Sequence, residues 1–88
     1  MLNFMKTEAV LGYGISCYEH GNYQKALVQF FKYIQLIKED PDPYEFIGKI
    51  FLQQGDSASG EEFLNKAEEY KKMGRDTIKR ILIFEKIK

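Results

Sequence analysis

The chain has 88 residues, enough for one domain that buries roughly 60 to 65% of its unfolded surface. Thirteen Lys plus Arg balance thirteen Asp plus Glu, so no overall field draws nucleic acid or an anionic membrane, and no stretch approaches the ~20 apolar residues that cross a bilayer. A single cysteine, Cys17, rules out an internal disulfide and suits a reducing compartment, so a cytoplasmic location is expected; the first six residues lack the charged lead and long apolar core of a secretory signal.

Residues 1–6 read as an arm. Thr7 is placed to cap a first helix carrying Val10, Tyr13, Gly14, Cys17 and Tyr18 at spacings of three and four, which stops near Gly21. In the turn, Gly21 supplies a left-handed residue and Asn22 caps a second helix whose face is Ala26, Leu27, Phe30, Phe31, Ile34 and Ile37, ending at Glu39-Asp40-Pro41. Asp42 is expected to cap a third helix, with Pro43 in its first turn and Glu45 answering back, presenting Tyr44, Ile47, Gly48, Phe51 and Leu52 until Gly55-Asp56. A fourth helix with Phe63, Leu64, Ala67, Tyr70 and Met73 runs to Gly74. A fifth begins at Arg75 or Asp76 and holds Ile78, Ile81, Leu82 and Phe84; here Arg75, Lys79, Arg80, Lys86 and Lys88 face only Asp76 and Glu85. No run alternates with period two, so the fold class is all-α.

Gly14 and Gly48, Gly21 and Gly55, Ala26 and Gly60, and Phe30 and Leu64 each stand 34 residues apart. A fixed period of that length marks stacked helical hairpins. Small residues at Gly14, Ala26, Gly48, Gly60 and Ala67 let helix axes approach, and the large apolar residues between them fill the gaps. In two registers, Val10, Tyr13, Gly14, Tyr23, Ala26, Phe30 and Leu36, then Tyr44, Ile47, Gly48, Phe51, Gly60, Leu64 and Ala67, residues 7–74 resemble the tetratricopeptide repeat family.

The resemblance implies a right-handed solenoid of about five helices in a single domain: hairpins over 7–40 and 41–74, and a capping helix over 75–88. Three features depart from the family. Tyr23 is its aromatic in the first repeat, but Ser57 stands there in the second; Gly60 replaces an alanine, at about 0.5 to 1 kcal/mol; and its closing proline is displaced to Pro41, then missing. The second hairpin is therefore expected to be the looser one. Because about three repeats are normally needed for a self-sufficient core, a cover is also expected: a homo-oligomer in which the last helix or the Leu2-Phe4-Met5 arm packs across protomers.

In such arrays the first helix of each hairpin lines a concave groove, which the resemblance assigns here to Leu11, Ile15, Tyr18, Glu45, Lys49, Leu52, Lys79 and Ile83. It implies a non-enzymatic module that holds an extended or helical segment of a protein partner. The alternatives are a small chaperone or assembly factor for one client, and a self-associating structural subunit with no foreign ligand. The branch of the family that clamps a carboxyl terminus has lysine and asparagine where this chain has Leu11 and Ile15, so that ligand is not expected. Leu11, Ile15, Tyr18 and Leu52 equally suit burial under the arm or a second protomer.

Signals of chemistry are weak. Gly55-Asp56-Ser57-Ala58-Ser59-Gly60 superficially resembles the loop around a serine nucleophile, yet no strand precedes it and turn chemistry accounts for its residues. Cys17 and His20 fall short of the four ligands of a structural zinc site, and Gly12-Tyr13-Gly14 lacks the third glycine of a dinucleotide loop. No catalytic residue, cofactor or metal is expected.

Overall fold

In a computed structural model the backbone is described for residues 4–87 and the side chains for residues 6–75. The described chain is four α-helices without a strand: α1 (Phe4–Glu19), α2 (Tyr23–Leu36), α3 (Pro41–Gln53) and α4 (Ser57–Ile87). α1 pairs with α2 and α3 with α4, and α3 also lies against α2 and α1, so two helical hairpins are stacked.

Both hairpin turns are built the same way. Gly21 (φ 78°) and Gly55 (φ 86°) are the positive-φ residues among those described, the conformation glycine adopts without strain. Past each glycine the chain donates back across the helix end, Asn22 N–H to the Cys17 carbonyl (2.8 Å) and Asp56 N–H to the Phe51 carbonyl (2.9 Å). The same two residues then cap the next helix, Asn22 Oδ1 accepting from Lys25 N–H (3.4 Å) and Asp56 Oδ1 from Ser59 N–H (3.1 Å). The cap on Ser59 holds the Asp56 carboxyl below the usual range, which gives the Gly55–Gly60 loop its structural role.

The core is Ala26, Phe30, Ile47 and Ile50, all fully buried, with Leu11, Ile15, Leu27, Ile34, Phe46 and others packed against them. Glycines permit the closeness. A Cβ on Gly14 would lie 2.8 Å from Phe30 Cε1, and a Cβ on Gly48 would lie 2.9 Å from the Gly60 carbonyl oxygen. The expected looseness of the second hairpin is therefore corrected: Gly60 is where the α3 and α4 backbones meet, and a side chain there would lie 2.7 Å from Leu52 Cγ and 3.0 Å from the Gly48 carbonyl oxygen.

Three boundaries differ from expectation. Thr7 is buried inside α1, which already begins at Phe4, so it is not a cap. α2 ends at Leu36, with Ile37 extended (φ −129°) beyond it, and α3 is capped by Asp40 rather than Asp42: Asp40 Oδ1 accepts from Asp42 N–H at 3.0 Å. Proline explains the second shift, because Pro41 needs no N–H partner at the first helical position and forces the residue before it out of helical geometry. Finally, Gly74 does not end a helix. With no left-handed glycine there and no proline after it, α4 continues through Gly74 to Ile87, so the separate fifth helix over 75–88 is replaced by one helix of 31 residues.

Comparison of the two hairpins explains why the stack stops at two. Phe46 and Ile50 on α3 pack under the first hairpin, whereas the residues 34 positions earlier, Gly12 and Ser16, are exposed on α1. In the other direction, Leu11, Ile15, Leu27 and Ile34 pack into the core, but their counterparts Glu45, Lys49, Glu61 and Glu68 are polar. Each outer side of the stack has thus lost the apolar set that its inner side carries.

The loop joining the hairpins is held by two tyrosines. Tyr33 donates to Asp40 Oδ2 at 2.6 Å, and Tyr44 donates to the Lys38 carbonyl at 3.0 Å. Burial first, then the bond to Asp40 and the nearby carboxylates, pushes the Tyr33 hydroxyl far above its ordinary value of 10.0. Burial first, then Tyr70, pushes Tyr44 up to about 12. Both groups keep their proton in the folded state while the unfolded chain ionises, so their stabilisation is complete below pH 10 and declines as pH rises above it. Denaturant unfolding between pH 10 and 12 should lose about 1.4 kcal/mol per pH unit for each tyrosine. The double variant Tyr33→Phe/Tyr44→Phe should remove that slope; an unchanged slope would exclude these groups as its cause.

Candidate functional site

α1 and α3 place equivalent positions side by side, since Leu11 and Glu45, Ile15 and Lys49, and Tyr18 and Leu52 are each 34 residues apart. Tyr18, Lys49 and Leu52, with Gln53, surround a hollow of about 560 Å³ at the C-terminal ends of both helices. Three of the residues assigned to a groove are thereby brought together. Leu52 is 42% exposed although its side chain also reaches the Gly60 backbone.

An aromatic ladder supports the hollow from below. The buried Phe30 ring stacks on Phe46 (centroids 5.3 Å, 7°), Phe46 meets the Tyr18 ring edge-on (5.1 Å, 65°), and Tyr23 flanks Tyr18 at 5.6 Å. Rings at these separations and tilts attract one another beyond their burial, so Tyr18 is fixed to the core while its edge faces out. Lys49 Nζ stands 5.8 Å from the Phe46 ring centre, within reach of the ring's negative face.

The remaining assigned residues do other work. Leu11 and Ile15 are half-buried against the core and present little surface. Glu45 places its carboxylate between Lys71 of α4 (2.9 Å) and Lys49 (3.4 Å), so it is an inter-helix tie rather than a free wall of the hollow. The bond from Lys71 is the main cause that holds Glu45 below the usual carboxylate range, and the same contact raises Lys71. Because both partners are about a third exposed, solvent screens the pair and its net contribution is small. Lys79 and Ile83 lie on the C-terminal part of α4, outside the residues whose side chains are described.

Gln53 and Phe46 were not among the expected site residues. A signal for Phe46 existed, an aromatic in the second repeat where the first has Gly12, which marks α3 as the helix with a neighbour on that side. Gln53 carries no such mark.

Cys17 is half-buried against the core, and His20 Nδ1 donates to the Ser16 carbonyl (2.8 Å) at the end of α1, a helix-terminating role. Among the described residues no group of three His, Cys, Asp or Glu side chains converges as a metal site, and no described helix is long and apolar enough to cross a membrane. No family model, no curated protein and no solved structure matches the chain.

Proposed function

We propose that the chain is a tetratricopeptide-like, right-handed hairpin stack that works without chemistry, holding an extended or helical segment of a protein partner on the face of α1 and α3. The observation that carries this reading is the hollow edged by Tyr18 and Leu52, equivalent positions of successive hairpins, with Lys49 and Gln53 between them. An apolar anchor of the partner sits between the Tyr18 edge and Leu52, and Lys49 and Gln53 offer donors to its backbone carbonyls.

Selection from a random peptide display library, followed by NMR titration of the purified peptides, tests it. Amide shifts should concentrate at Tyr18, Lys49, Leu52 and Gln53. Shifts confined to the outer side of α2, around Val28 and Leu36, would place the binding face elsewhere, and a library that yields no binder would count against the module altogether.

A further inference from the structure

We propose that residues 75–87 of α4 pair antiparallel, about Ile81, with the same segment of a second copy of this chain. α4 has 31 residues and α3 only 13, so at 1.5 Å per residue α4 is roughly 27 Å longer than the helix it pairs with. The pairing register sets where α3 gives out. Gly48 meets Gly60 and Leu64, Tyr44 meets Tyr70 with centroids 5.0 Å apart, and Glu45 meets Lys71, so Pro41 at the start of α3 lies near the level of Gly74. Beyond that level α4 continues without α3 beside it.

The segment beyond is nevertheless apolar. The stripe by which α4 faces α3 steps through Gly60, Leu64, Ala67 and Lys71 by four, three and four residues, and the same steps continue to Gly74, Ile78 and Ile81. Leu82, Ile83, Phe84 and Ile87 add apolar positions around the rest of the helix, and a helix apolar on several sides is one that packs. The two-hairpin body has polar outer sides and does not call for this segment as its lid.

Charge selects the occupant and its direction. Antiparallel pairing about Ile81 sets Ile78 level with Phe84, Asp76 level with Lys86 of the other copy, and Lys88 level with Gly74. At Gly74 the body offers a hollow of about 230 Å³ lined by Glu39, Tyr70, Met73 and Gly74, so a carboxylate waits where the second copy's basic residue arrives. Two-fold symmetry repeats each of these opposite-charge pairs. Parallel pairing would instead put Lys79, Arg80 and Lys86 against themselves, which is repulsive.

Sedimentation of the full chain from micromolar to millimolar concentration should show the mass doubling, because a contact this short sits at the small end of protein interfaces. Ile81→Asp, which faces itself across the two-fold, should leave a monomer with unchanged helical signal. In a Cys17→Ala background, Ile81→Cys should form a disulfide-linked dimer on mild oxidation; Asp76→Cys alone should not, but should link when mixed with Lys86→Cys. A monomer at every concentration overturns the proposal, as does a dimer that survives Ile81→Asp. Self-linkage of Asp76→Cys would show a parallel or different contact and also overturn it.

Discussion

Phe30→Ala should lower the unfolding free energy by about 3 to 5 kcal/mol, out of a total on the order of 4 to 13 kcal/mol for a domain of this size. Phe30 is fully buried, stacks on Phe46 and fills the space that Gly14 leaves on α1, so its removal opens a cavity where both hairpins meet. The link to Gly14 can be measured by itself. Gly14→Ala should cost about 1 to 3 kcal/mol in the native background, since its Cβ would sit 2.8 Å from a ring that cannot withdraw, and clearly less beside Phe30→Leu. Additive effects in that double-mutant cycle would mean that the ring and the glycine do not touch.

The second large effect is a difference in sign between two glycines of one helix. Helix propensity alone predicts that alanine at either Gly60 or Gly74 stabilises α4 by about 1 kcal/mol. Gly74→Ala should do so, because nothing lies within 4 Å of the added carbon and the helix runs through the position. Gly60→Ala should instead lose about 1 to 3 kcal/mol, the added carbon meeting Leu52 and, less yielding still, the Gly48 carbonyl oxygen at 3.0 Å. Urea unfolding of both variants decides it. A stabilising Gly60→Ala would mean the α3 and α4 backbones stand further apart, and a destabilising Gly74→Ala would mean that a helix ends there.

These contrasts show what the amino acids disclose and what they hide. The two hairpins, their glycine turns and the caps at Asn22 and Asp56 were legible, because each is a local arrangement repeated after 34 residues and so announced twice. The packing role of Gly14 and Gly48 was legible for the same reason. Asp40 was harder to separate from Asp42, since both precede a proline and only the three-dimensional course of the linker, tied by Tyr33 and Tyr44, decides between them. Gly74 misled because glycine ends a helix only when it turns left-handed, as Gly21 and Gly55 do.

Within the candidate site, Tyr18, Lys49 and Leu52 were found by period alone, while Leu11 and Ile15 were misjudged. Their position matches a groove, but an apolar side chain at the rim of a small core is drawn partly into it. The signal that could have warned of this lies in the second repeat, where those positions are Glu45 and Lys49 and no further hairpin follows. Glu45 in turn takes a partner on α4, a contact across 26 residues that periodicity does not report.

The central claim is that the exposed face of α1 and α3, rather than exposed apolar surface in general, captures a partner segment. Two leucines of nearly equal exposure separate these ideas: Leu52 (42%) on that face and Leu36 (43%) at the end of α2. Calorimetric titration of a library-selected peptide into Leu52→Glu and Leu36→Glu, with thermal melts to confirm folding, is the direct measurement. The account predicts at least a tenfold loss of affinity, about 1.4 kcal/mol, for Leu52→Glu and native affinity for Leu36→Glu. Equal losses, or a loss only at Leu36, would contradict it.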